Sequence, residues 1–469
     1  MIRRIAIIGG GAAAVALLSE LVERASAPLH LDWYTGGAER LGRGVAYGTS
    51  SPRHLLNVRA ATMGMFSRRP RGFLDFAQQR NPQVTGTDFL PRSLYGDYLE
   101  HEAAQALARS RERGVDVHVV PFVADAVVPE PDGVTVLQGE RVTRFDAAVL
   151  ALGALPVRPL PGVDPGLLAD GRYALDPWAA LAGARSEHAP REVALVGLGL
   201  TAVDVLLELA ERWPDTRFVA ISRHGQLPAA HLPASTVPED DGGALVEAMQ
   251  EAPEIRRWLR LLREAIAASD DWRVVIDSLR PATPVLWDAL PLPERARFLR
   301  HARWAWERAR HRMPPQVEQQ VLALERAGRL QRIRGRVAGA QAEGARVRLQ
   351  VRHAGTPVAV PLADRVIQTV GLDTDLRSTA HPLMRQLVTN GHVTPDPLGL
   401  GCQATADGRL CRDGRPWPRL FGIGSLLRGA RWETVAMPEI RLHARVLASR
   451  MLEPVQAPSR GQLAPASYA

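Results

Sequence analysis

Two short glycine-rich stretches hold the residue types best suited to chemistry. Residues 5–21 read "IAIIGGGAAAVALLSEL" and residues 195–208 read "LVGLGLTAVDVLLE". In each, an apolar run leads into a G-x-G-x-x-A turn and then into residues at helical spacing. The first turn has Gly9, Gly11 and Ala14, with Gly10 between; the second has Gly197, Gly199 and Ala202, with Thr201 in the first helical turn. The leading glycine permits a tight turn, and the next lets backbone approach a pyrophosphate. The small alanine lets the helix pack close to the strand while its N-terminus faces negative charge. A strand before and a helix after separate such a turn from a chance match.

Past each turn, the second strand of the unit departs from the ordinary pattern. "LHLDWYT" reads as the second strand of a βαβ unit, whose last residues should include a ribose-binding acid. Tyr34 and Thr35 stand there instead, and Asp32 lies slightly early, so either the Thr35 hydroxyl makes a weaker contact or the register is shifted. After the second turn the strand ends in "ISRHG". Ser222, Arg223 and His224 offer a hydroxyl and positive charge, which suits the 2′-phosphate of NADPH better than NAD. A solvated arginine at a strand end is the plainer reading. Two dinucleotide sites imply an electron path from NADPH (NADH is a possible donor) to FAD. FAD is assigned to the first site, because "RFDAAVLALGALP" looks like the strand and glycine, Gly153, that close beneath FAD; Val123 is counted among its contacts.

The elements that must position these turns can be read coarsely. Residues 115–152 form short alternating runs broken by Pro and Gly, as in an antiparallel meander returning to a central sheet. "LPVRPLPGVDPG" is a proline-rich connector, residues 242–330 are mostly helical in period, and a last helix covers roughly 437 to 452. The expected fold is α/β: a three-layer Rossmann-like FAD domain (1–165 and 366–453) with an inserted Rossmann-like NAD(P)H domain (166–365) that carries a helical subdomain (242–330). Residues 454–469 read as a disordered tail.

Composition sets limits. All 58 basic residues are arginine, so no Schiff-base, pyridoxal-phosphate or P-loop lysine is available. Cys402 and Cys411 have neither disulfide-framework, zinc nor CxxC spacing, which points to a reducing cytoplasm. The opening arginines, apolar run and "ASA" superficially resemble an export signal, yet three consecutive glycines suit a strand-to-helix turn. No run reaches the roughly 18 apolar residues of a membrane span. Charges of both signs mix along "EAPEIRRWLRLLREAIAASDDW", no nucleic-acid reader motif appears, and no His pair has metal-ligand spacing. Neither metal, membrane nor nucleic acid is expected, and the oligomeric state is left open.

The chain also resembles a bacterial family of FAD/NAD(P)-binding proteins, relatives of the two-dinucleotide-domain flavoproteins. The stretches that carry the resemblance are "GRGVAYGT" with "HLLNVRA", "LPRSLYGDYL", "GLGLTAVD", "ISRHGQLP", "DSLRP" with "LWDAL", "RHRMPP" and "LLRGARWETVAMPEIR", spanning most of residues 3–445. The better-understood members look like monooxygenases, including flavin-dependent urate hydroxylases, with amino-acid N-hydroxylases as looser relatives. By analogy Arg43 and Gly44 would lie along the FAD pyrophosphate and Asn57 near the ring. Gly424 to Glu433, with Trp432, would form the loop and helix start beside the flavin. Ser425 stands where related folds often place Asp. The resemblance implies a small-molecule substrate with oxygen as acceptor, a quinone or protein acceptor being the alternative. Urate is the specific substrate expected; Arg428 and Arg431 would pair with such an anion and His54 would move a proton. "FLRHARWAWERARHRM" would supply a pocket wall, with His301, Trp304, Arg308 and His311 on one helical face, or else a buried Trp and a solvated rim.

Overall fold

The computed structural model describes residues 3–37, 40–184, 188–232 and 242–453; the tail expected from residue 454 lies outside them. The first strands are β1 (Arg4–Ile8), β2 (Leu29–Tyr34) and β3 (Val115–Val120). A meander comes next in β4 (Ala126–Glu130), β5 (Gly133–Gln138) and β6 (Arg141–Phe145), and β7 (Ala147–Leu150) returns to the first sheet. A second sheet uses β8 (Tyr173–Ala174), β9 (Glu192–Val196), β10 (Arg217–Ser222) and β11 (Leu330–Arg334). A second meander has β12 (Arg336–Glu343), β13 (Arg346–His353) and β14 (Thr356–Val358). The chain then passes through β15 (Arg365–Gln368), β16 (Arg409–Arg412) and β17 (Arg415–Gly422).

The first sheet runs β16-β17-β7-β1-β2-β3, parallel except for the β16 edge. Helices Ala12–Arg24, Arg92–Glu112 and Met437–Leu452 cover one face and the β4–β6 meander with helix Pro382–Thr389 covers the other, giving three layers. Ile5 and Ile7 point into the helical core while Ala6 and Ile8 point to the meander, so β1 is apolar on both faces. Leu17, Leu18, Leu21 and Val22 of the first helix are fully buried, each side chain contributing about 1.5–3 kcal/mol relative to exposure.

The second sheet, β11-β10-β9-β15-β8, is parallel throughout and repeats the plan. Helices Pro177–Gly183, Leu200–Arg212 and Pro315–Arg326 cover one face and the β12–β14 meander covers the other. Because β15 pairs with β9 and β8, the chain returns to the first sheet after Gln368, a little later than the expected boundary at 366. Similarly, β3 is a parallel strand of the first sheet, so the antiparallel meander begins only at Ala126.

Between β10 and β11 in the chain, residues 243–310 form short helices around a core of their own. Trp432 and Leu400, from the part of the chain that rejoins the first sheet, complete that core.

Candidate functional site

Both glycine turns adopt the same geometry. Gly9 and Gly197 have φ of 130° and 120°, open to glycine alone, and a Cβ on either would lie 2.2 Å from the Ala151 carbonyl oxygen or 2.4 Å from that of Thr369. Each turn sits where its central strand meets the loop after a neighbouring strand. Helices Ala12–Arg24 and Leu200–Arg212 start from Gly11 and Gly199 with neither a capping side chain nor an acid in the first turn, so their orphan N–H groups remain available to an anion. A Cβ added to Gly199 meets no atom within 4 Å, so backbone there borders open space.

The first turn lies at the C-terminal ends of the parallel strands, where open α/β sheets bind ligands, and several glycines gather around it. Gly11 lies against Gly44, Gly36 beside Val123, and Gly424 beside Ala13, while Gly44, Val123 and Gly153 are exposed. Apolar Val45 and Phe122 are also more than half exposed. An extended ligand with a phosphate centre and apolar ends fits this lining, as FAD would. Thr35 directly follows β2, where a ribose acid would ordinarily stand; it is buried, and both its N–H and its hydroxyl reach the Val120 carbonyl. Asp32 is not a ribose ligand: its buried carboxylate, inside the strand, is held by His30 and Arg4.

The second turn opens into a cleft of about 990 Å³ lined by Gly197 to Thr201, Ser222 to His224, Arg336, Arg352 and Gly371. The opposite wall is the short helix Arg303–Arg310 with His311 beyond it. Trp304 stacks on His224 with ring centroids 4.1 Å apart and planes 18° apart. Ser222 accepts the Gly225 N–H through its hydroxyl, while Arg223 is exposed. Three arginines of the lining, Arg223, Arg336 and Arg352, give the cleft a positive rim fit for a phosphorylated nucleotide.

Arg428 joins the two places. It comes just after the turn at Gly424, which lies beside Ala13 near the first helix start, yet its side chain lines the second cleft. Its guanidinium stacks 4.4 Å from the Trp432 ring centroid and donates to Glu307 Oε1 at 2.8 Å; Arg303 donates to the same oxygen at 3.0 Å. Burial pushes the Glu307 carboxyl up, but Arg303 and Arg428 outweigh it and hold the group below the ordinary carboxylate range. His311 is pushed down by burial, which Glu433 only partly opposes, so its imidazole is neutral near pH 7.

Several expected residues lie elsewhere. Arg43 is buried and its guanidinium is committed to Asp97 and Glu100, Nε bonding Glu100 Oε1 at 2.9 Å. His54 sits between the two sheets' helices, 2.7 Å from Thr49 Oγ1 and 3.8 Å from Glu208; it is an interdomain residue. Asn57 packs there too, its carbonyl 3.0 Å from His231 Nε2. Arg431 is half-buried towards Asp288 and Asp407, outside the cleft lining. Trp432 packs with Trp287 and Phe298, and Glu433 accepts the Trp306 indole N–H beside Arg310, so both side chains are taken up by the helical region. Ser425 turns its hydroxyl to the Gly153 carbonyl, bracing the crossing of two loops. His301 is exposed on the preceding helix, Leu292–His301, because the chain breaks at Ala302; Trp304, Arg308 and His311 alone share the cleft.

Glu307, Arg336 and Arg352 belong to the cleft although no motif marks them. Alternation in "RVRLQVRH" puts Arg352 on the open face of a half-buried strand, but which cleft that face borders depends on tertiary packing. No group of three potential metal ligands occurs among the described residues.

With this geometry the fold is that of flavoproteins that hold two dinucleotides. Residues 6–155 match the family described as FAD-NAD(P)-binding. Ornithine N-hydroxylase from Kutzneria sp. 744 superposes with a TM-score of 0.64 at 17% identity, covering 96% of this chain and 99% of that one. L-lysine 6-monooxygenase from Pseudomonas syringae gives 0.64 at 16% identity over the same shares. Thioredoxin reductase from Lactococcus lactis gives 0.53 at 11% identity, covering 96% and 97%. No curated protein matches the sequence.

Proposed function

We propose that the protein is an FAD- and NADPH-dependent monooxygenase that hydroxylates a small amine at nitrogen. The observation that carries this reading is the path of residues 424–428: Gly424 lies beside Ala13, two residues past Gly11 of the first glycine turn, and Arg428 reaches the cleft of the second. One short segment thus spans the two dinucleotide sites. FAD, when bound at the first turn, would pass electrons from NADPH to molecular oxygen.

The chain's own residues supply the rest. Gly197, Gly199 and the helix start after them would hold the NADPH pyrophosphate, with Ser222, Arg223 and the stacked His224–Trp304 pair at its adenosine end. Arg336 and Arg352 add charge for a 2′-phosphate. An amine must shed a proton before it can act as a nucleophile, and the His311 imidazole at the cleft wall would take it up in passing, on its way to solvent. Glu307 is tied to Arg303 and Arg428, which leaves exposed Arg308 to orient an anionic substrate group. Amine substrates are favoured over urate for two reasons. Arg428, the cation expected to meet a urate anion, is already paired with Glu307, and the similar folds include an ornithine N-hydroxylase and a lysine 6-monooxygenase.

The thioredoxin reductase chemistry is disfavoured, since Cys402 and Cys411 are buried thiols and burial pushes Cys402 up to about 12. Passage of electrons to a quinone is the second reading, favoured by the exposed apolar Val45, Phe122 and Val123 near the first turn. The test is to load the protein with FAD and track NADPH loss with ornithine, lysine, urate and a soluble quinone. Hydroxylamine product without hydrogen peroxide release supports N-hydroxylation; NADPH loss with the quinone alone replaces it with the second reading. Failure to take up FAD overturns both.

A further inference from the structure

We infer that the helical region holds a second ligand site, a pocket for an apolar bicyclic ring system bearing one carboxylate. A cavity of about 250 Å³ lies among the helices of residues 249–309, outside the nucleotide cleft. It is larger than the roughly 150 Å³ cavity that takes a benzene ring, and like that one it offers almost no polar surface. Five tryptophans line it: Trp258, Trp272, Trp287, Trp306 and Trp432. Three of their indole N–H groups are already spent, on the Met249 carbonyl, the Gly429 carbonyl and Glu433 Oε1. Ring faces remain for the occupant, which suits a flat aromatic body and disfavours a hydrogen-bonding one.

Arg263 is the single charged side chain of the lining. It lies at the exposed edge, on helix Ile255–Ala267, and has no ion-pair partner among the described residues. A ligand whose apolar body fills the cavity and whose carboxylate reaches the mouth would meet it there.

The wall between this cavity and the nucleotide cleft is one helix thick. Ala302, Ala305, Trp306 and Ala309 face the cavity, while Arg303, Trp304, Glu307 and Arg308 face the cleft. The spacing is that of two opposite faces of one helix. The inference stands apart from the redox reading, because binding to the cavity needs neither electron transfer nor NADPH.

The test is calorimetry on the FAD-loaded protein with 2-naphthoate and uncharged 2-naphthol. Saturable one-to-one binding of both is expected, naphthoate being the tighter. Arg263→Gln should weaken naphthoate about fivefold, the worth of an exposed ion pair, and leave naphthol unchanged. Ala305→Phe, at an exposed position on the cavity face, should abolish binding of both, with the visible flavin spectrum and NADPH titration reporting that fold and cleft persist. If Ala305→Phe fails those controls, Ala309→Leu takes its place. Absence of saturable binding, or binding that neither filling variant alters, overturns the proposal.

Discussion

At the scale of single residues, the informative contrast is between glycines. Gly197 cannot carry a side chain because of the folded protein itself, whereas Gly199 can, since nothing lies within 4 Å of its Cβ position. Gly199→Ala should therefore fold and hold FAD normally yet raise KM for NADPH by on the order of tenfold or more, by keeping the pyrophosphate off the backbone. Steady-state kinetics beside a thermal melt checks this; an unchanged KM would remove Gly199 from the cofactor site. The Glu307 carboxylate makes a second prediction. Its pKa is held below the unfolded value, so its stabilising contribution is complete above the ordinary glutamate range and lost as pH falls through the folded value. Glu307→Gln should cost about 2 kcal/mol at pH 7 by leaving Arg428 without its charged partner, and should cost much less near pH 3. Urea midpoints at the two pH values measure both arms.

Elements show why part of the site is legible in the sequence and part is not. The two strand–turn–helix units stand out because glycine spacing and apolar periodicity are local properties, and Met437–Leu452 has its expected bounds for the same reason. Periodicity also puts His301, Trp304, Arg308 and His311 on one face, but it does not reveal the break at Ala302, where one short helix hands over to the next. Analogy sends Arg43 to the FAD pyrophosphate and the urate reading gives His54 a proton to move, whereas their partners in the fold (Asp97 and Glu100, Thr49 and Glu208) are set by how helices meet in space. Helix Met437–Leu452 carries its own test. His443 on it is buried without a partner for Nε2, near Arg431 and Asp407, and burial pushes it down to about 4. Between pH 6.5 and 4 the unfolded chain binds that proton and the native one does not, so this group lowers stability by about 1.4 kcal/mol for each unit the pH drops. His443→Leu should flatten the denaturation midpoint over that window; a slope equal to wild type would mean the ring protonates in place.

Across the whole molecule, the two sheets are joined by charge as well as by chain. Arg92 beside the first sheet meets Asp204 at 3.1 Å, and Ser51 and Arg53 meet Glu208 and Glu211, all on the helix that opens at Gly199. Asp204 is deeply buried, and burial pushes its carboxyl up against the opposing pull of Arg92 and His54. The same helix whose N-terminus faces the nucleotide is thus clamped along its length by the other module. Asp204→Asn together with Glu208→Gln should leave FAD affinity within about twofold while slowing NADPH-dependent flavin bleaching on the order of tenfold, through looser placement of the two sites. Stopped-flow absorbance after anaerobic mixing decides it, and equal bleaching rates would show the clamp to be dispensable for alignment.

The one-helix partition also gives the protein an optical property. An α-helix with its side chains is only about 10–12 Å across, so the indoles behind it lie within resonance-transfer range of a reduced nicotinamide held anywhere in the cleft in front of it. Excitation of Trp306 or Trp432 at ultraviolet wavelengths should pass by resonance to that ring and emerge as blue emission. Nucleotide capture would then be readable from the native chain, with no dye attached.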